Sequence, residues 1–107
     1  MLYNMFSFVN DTDNYEARKI GRDTSESGIE VSTAYTSDEG YETALMDSHG
    51  VHPVERYGTR GQAEIGHKKW IVFANSANGK KVMKLGGIGE FVRPEEIMLE
   101  ASPGREN

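Results

Sequence analysis

The chain has 107 residues, 36% of them hydrophobic and 27% charged, with a formal net charge of −5 and no cysteine. That length fits one domain with a modest core. The missing cysteines exclude disulfides, thiolate metal sites and cysteine nucleophiles, and a reducing cytoplasm is the default expectation. The charge is uneven: Met1–Asp47 holds ten acids against three bases, and the remainder seven acids against nine bases. A negative chain is repelled by phosphate backbones, which argues against general nucleic-acid binding. The acidic first half could instead steer a basic protein partner.

In chain order, the opening "MLYNMFSFVN" is apolar but short. It has no basic leader and no small-residue cleavage site, so it reads as a flexible start rather than a signal peptide. No stretch is long and apolar enough for a membrane span. "NDTDNYEARKIGR" reads as a weak edge strand followed by a loop at Asp23–Gly28. "IEVSTAY" alternates Ile29, Val31, Thr33 and Tyr35 against Glu30, Ser32 and Ala34, the period of a half-buried strand. "YETALMD" alternates Tyr41, Thr43 and Leu45 against Glu42, Ala44 and Met46. "VHPVERY" is the return strand, and Pro53, having no N–H, places it at a sheet edge or puts the proline at its start.

A helix then begins at a capping box, Thr59 with Gln62. Ala63, His67, Trp70, Ile71 and Ala74 share one face of it, and Glu64 with Lys68 is a favourable i,i+4 pair. Gly61 and Gly66 each weaken it by about 1 kcal/mol, so Gly66 implies a close approach by a backbone or a ring. Asn78-Gly79 is a left-handed stop. "KKVMKL" is strand-like, and "RPEEIMLE" is either a helical turn or a last strand. "ASPGREN" reads as a frayed tail. The expected fold is α+β: a small antiparallel sheet of about 4–6 strands with one amphipathic helix packed across it. It forms a single domain with its core over about residues 14–100. Were Tyr41, Leu45 and Tyr57 to lie on the face away from the helix, a second copy of the chain would be the natural cover, giving a homodimer or higher oligomer.

The chemistry-bearing residues are few. Asp47, His49 and His52 cluster on a hairpin turn, but zinc needs three or four convergent ligands, so no metal is expected. Gly86, Gly87 and Gly89 fall short of a dinucleotide fingerprint because Val92 occupies the third glycine position. Asn78–Lys81 fails as the end of a P-loop, with Ala74 at the first glycine and Lys81 at the hydroxyl position. A looser anion site at Lys80, Lys81, Lys84, Gly86, Gly87 and Gly89 remains, for a small anionic ligand such as a nucleotide. No nucleophile elbow is present, and nothing shows any two of Glu42, Glu55 and Glu95 converging. His67 reads as a seam residue between helix and sheet, with Trp70 beside it and Tyr41, Glu42 or a backbone carbonyl as its partner. No catalytic residue and no cofactor are expected.

One resemblance runs through these segments. Val31-Ser32-Thr33, then Tyr41-Glu42-Thr43-Ala44, then Glu55, Tyr57 and Thr59, then Ala63, Gly66, His67, Trp70 and Val72 together resemble a class of small proteins encoded by bacteriophages and prophages. The resemblance spans Asn14 to Phe73. It implies context rather than activity: a phage product in the host bacterial cytoplasm. Small acidic phage proteins without enzymatic motifs typically bind and divert a host component. The resemblance therefore implies a non-enzymatic accessory protein that binds a host protein, for example in an antiphage defence system. An oligomeric sponge for a nucleotide is the alternative.

Overall fold

The structure, a computed structural model, describes residues 19–37, 40–86 and 93–102. Four strands form an antiparallel sheet in the order β1 (Lys19–Thr24), β2 (Glu30–Thr36), β3 (Gly40–Asp47) and β4 (Gly50–Tyr57). Helix α1 (Arg60–Ala74) crosses one face of it, and a hairpin of β5 (Lys81–Lys84) and β6 (Glu95–Met98) forms a second, two-stranded sheet. The architecture is α+β. The two ends of the chain and residues 87–92 lie outside the described residues, and so do the readings made of them, Gly87 and Gly89 included.

The alternation seen in the sequence holds through β2 and β3. Val31, Thr33, Thr43 and Leu45 are fully buried, and Thr33 stands directly opposite Thr43. β1 extends further than its composition suggests. Asp23 pairs with Val31 and Thr24 with Glu30, so only Ser25–Gly28 turns, closed by the Ser25 N–H donating to the Ile29 carbonyl at 2.9 Å. Pro53 lies on an edge strand, where its missing N–H costs nothing. Its carbonyl accepts from the Leu85 N–H at 2.8 Å, which ties the hairpin to the main sheet.

The β3–β4 register slips between Thr43 and Ala44: Ala44 faces Pro53, yet Thr43 faces Glu55. One extra residue, Val54, sits in the strand as a bulge. Strict alternation from His52 would turn Arg56 toward the helix. The bulge instead brings Glu55 and Tyr57 to the helix side.

The core lies between the sheet and the layer of helix and hairpin. Ile29, Val31, Leu45, Val54, Ala74, Ala77 and Leu99 are buried there, bordered by Trp70, Ile71, Phe73, Val82 and Ile97. Each large aliphatic side chain removed from water contributes about 1.5–3 kcal/mol. Leu45 is in this core, Tyr57 packs on the helix, and Tyr41 shares their side by alternation. The ground for expecting a second copy over these three residues therefore falls away.

The helix starts as its cap residues require. The Thr59 hydroxyl accepts from the Gln62 N–H at 3.1 Å, while Gln62 reaches back one residue further than a capping box, accepting from the Gly58 N–H at 3.0 Å. Glu64 pairs with Arg60 at 3.3 Å rather than with Lys68. The helix ends at Ala74, before the expected stop. The Ala74 carbonyl is captured by the hydroxyls of Ser25 at 3.0 Å and Ser27 at 2.6 Å, and the Asn75 side chain accepts from the Glu26 N–H. Gly79 does adopt a left-handed φ of 86°, but in the turn that leads into β5.

Candidate functional site

The inner face of the sheet carries hydroxyls where an apolar core would carry methyl groups. Thr33 and Thr43 are fully buried, and a buried hydroxyl without a partner costs about 1–3 kcal/mol. Their partners form one continuous chain. Asp23 Oδ2 lies 2.8 Å from His67 Nε2, and His67 Nδ1 lies 2.7 Å from Thr33 Oγ1. Thr33 Oγ1 is 2.5 Å from Thr43 Oγ1, which is 2.9 Å from the Tyr57 hydroxyl. Tyr57 donates to Glu55 Oε1 at 3.1 Å, and the same oxygen accepts from Trp70 Nε1 at 2.8 Å and Lys69 Nζ at 2.6 Å. The chain passes through β1, α1, β2, β3 and β4, and returns to α1.

Two glycines make room for it. A Cβ on Gly21 would lie 2.6 Å from His67 Nε2, and a Cβ on Gly66 would overlap the Tyr57 hydroxyl and ring. The close approach expected at Gly66 is therefore that of a tyrosine ring. Burial would push the Glu55 carboxyl upward, but hydrogen bonds from Lys69, Trp70 and Tyr57 outweigh it and hold Glu55 below its usual range. Burial and the adjacent Glu55 charge push the Tyr57 phenol up to about 12, so it stays protonated and donating.

Carboxylate, imidazole and hydroxyl in series is also the order of a nucleophilic triad. Here Thr33 is fully buried and its oxygen already meets Thr43, so no substrate reaches it. His67 is only 6% exposed, with both ring nitrogens engaged. Its sheet partners are Asp23 and Thr33 rather than Tyr41, Glu42 or a carbonyl. Tyr41 stacks edge-on against Tyr35, with centroids 5.0 Å apart. Glu42 pairs with Arg56 on the opposite face, and Glu95 stands across from Lys84 in the hairpin. Glu42 and Glu55 are thus held by separate partners, and Glu95 lies in the other sheet.

The Asp47–His49–His52 cluster is a turn lock. Asp47 accepts from His52 Nε2 at 2.8 Å, from the His49 N–H at 2.9 Å and from the Glu100 N–H at 2.9 Å. Burial would raise its pKa, but these hydrogen bonds and the nearby imidazole lower it overall. His49 turns outward to Glu100 at 2.8 Å. His52 is buried, and among the described residues its Nδ1 has no hydrogen-bond partner. No group of three metal-ligating side chains occurs among the described residues.

Of the residues expected to form an anion site, Lys80, Lys81, Lys84 and Gly86 are among the described residues. Lys81 and Lys84 are three residues apart on β5, so they project to opposite faces. Lys80 precedes the strand and reaches Ser76 at 3.4 Å. Gly86 offers its carbonyl to Arg56 at 2.8 Å, which is an acceptor contact rather than an anion-binding N–H.

Two surface features adjoin the hydrogen-bond chain. A shallow cleft of about 390 Å³ opens beside Glu55 and Tyr57, walled by Gln62, Ile65 and Lys69 from α1. On the outer side of α1, Ile65 is 73% and Val72 is 71% exposed. No helix among the described residues is long and apolar enough to cross a membrane. No family model, curated protein or solved structure matches the chain.

Thr33, Thr43, Glu55, Tyr57, His67 and Trp70 all meet in this one chain, with Gly66 against the Tyr57 ring. Asp23 was missed because it reads as a loop residue, and Glu55 because nothing in the sequence shows which groups it meets. The signal for the chain was a threonine at the same inward position in each of two neighbouring strands.

Proposed function

We propose that the protein is a phage-encoded accessory protein that acts in the host bacterial cytoplasm without catalysis of its own. It binds a host protein, such as a component of an antiphage defence system, through the outer face of α1. The observation that carries this reading is the exposure of Ile65 and Val72. Seven residues apart, they lie on one side of the helix, flanked by Lys68 and Lys69, and large exposed apolar side chains on one helix face mark interaction surfaces. The lysines call for a partner whose matching surface is apolar at its centre and acidic at its rim. The burial of His67 and its engagement on both nitrogens support a framework role for that residue.

The test is a comparison of two immobilised proteins, the wild type and an Ile65→Glu/Val72→Glu variant with an unchanged circular dichroism spectrum, each exposed to bacterial lysate. A protein retained at least about tenfold more by the wild type is expected. Equal retention by both, or none by either, would sink the proposal.

A further inference from the structure

The chain from Asp23 to Glu55 has five contacts, and each needs one hydrogen between its two heavy atoms. Its direction is fixed at the Glu55 end. Lys69, Trp70 and Tyr57 all donate to Glu55 Oε1, so the single phenolic proton of Tyr57 is committed there. Tyr57 must then accept from Thr43, and Thr43, its proton spent, must accept from Thr33. Thr33 has no proton left for His67, so His67 Nδ1 must supply one. At the far end the Asp23 carboxylate only accepts, so Nε2 must also carry a proton.

We propose that His67 is held as a buried imidazolium, charged by a one-directional hydrogen-bond chain between two carboxylates, and acts as a proton-dependent latch between helix and sheet. A neutral imidazole supplies one proton too few, so one of the five contacts must open when the second proton leaves. The latch also links two surfaces: Asp23, with its side chain 54% exposed, at one end, and the cleft beside Glu55 at the other. Whatever takes the Tyr57 proton's place on Glu55 reverses the chain and removes the demand for the charge on His67.

The groups facing His67 are few. β1 contributes Asp23, β2 Thr33 and Tyr35, β3 Thr43 and Tyr41, and β4 Glu55 and Tyr57. Lys19, Arg22, Glu30, Glu42 and Arg56 register with the opposite face of the sheet. On α1 itself Glu64 and Lys68 are exposed, and Lys69 is on Glu55. The inference does not depend on the outer face of α1 binding a partner.

The test is the ring ¹⁵N spectrum of the full chain labelled at its three histidines, recorded at pH 7 and assigned with a His67→Gln variant. In the wild type, both His67 nitrogens are expected to carry protons. Tyr57→Phe leaves contacts that a neutral ring protonated at Nε2 can fill, with Thr43 donating to Thr33 and Thr33 to Nδ1. The ratio of doubly to singly protonated His67 is expected to fall about tenfold. Asp23→Asn can donate its amide to Nε2, so the neutral ring protonated at Nδ1 is expected. A singly protonated His67 in the wild type would overturn the proposal, including the case in which the fifth proton sits on Asp23. So would a His67 whose protonation is the same in the wild type and both variants.

Discussion

Asp47 shows how one side chain acquires its role from what surrounds it. In sequence, it and two histidines within six residues have the composition of a metal site. In the structure it accepts from two backbone N–H groups and one imidazole, which locks the β3–β4 turn to residue 100. A carboxylate held below its unfolded value contributes stability above that value and loses it as pH falls through the folded one. Asp47 and Glu55 are both of this kind, so stability should decline below about pH 4, where carboxyl groups take up protons. Asp47→Asn should lower stability by about 1–3 kcal/mol at pH 7. Its melting temperature should change less than the wild type's between pH 7 and pH 3. Thermal melts at the two pH values decide this, and parallel losses in both proteins would contradict it. Composition alone could not separate a metal cluster from a turn lock, because the separating fact is that the Glu100 N–H arrives from 53 residues further along the chain.

The elements were legible where local periodicity governs and illegible where one residue breaks it. β2 and β3 alternate in sequence and in space. α1 begins at Thr59, whose hydroxyl caps the Gln62 N–H, and Thr59→Ala should cost about 1 kcal/mol. Urea denaturation measures that cost, and an unchanged midpoint would mean the cap is replaced by water. The end of α1 was misplaced because Ser25 and Ser27, from the β1–β2 turn, take the Ala74 carbonyl. The bulge at Val54 was invisible for a similar reason. Pro53 beside it suits an edge strand as well as a bulge, and the bulge follows only from the pairing of Thr43 with Glu55 rather than with Val54. That single insertion decides which β4 residues meet the helix. With it, Glu55 and Tyr57 become the end of a buried chain.

At the scale of the whole molecule, α1 has two unlike faces. Its inner face is fastened to all four strands by small residues, a histidine and a tryptophan, and its outer face presents apolar side chains and lysines to solvent. The α+β layer was legible in the sequence, since two alternating strands and a return strand before an amphipathic helix leave few other arrangements. The helix–sheet seam was legible only as a histidine and a tryptophan on one face. Its continuity depends on Asp23, Thr33, Thr43, Tyr57 and Glu55, which meet only through tertiary pairing.

The central claim is that the chain through Tyr57 and His67 holds the helix to the sheet. The most direct test is one substitution made at two places on α1 and followed by urea denaturation, with Trp70, the sole tryptophan and itself bonded to Glu55, as the fluorescent probe. Gly61 has open space around it, so Gly61→Ala should stabilise the protein by about 1 kcal/mol through helix propensity alone. Gly66→Ala carries the same propensity gain but displaces the Tyr57 hydroxyl from Thr43 and Glu55. It should be destabilising by about 2 kcal/mol or more. A Gly66→Ala protein as stable as Gly61→Ala would contradict the account.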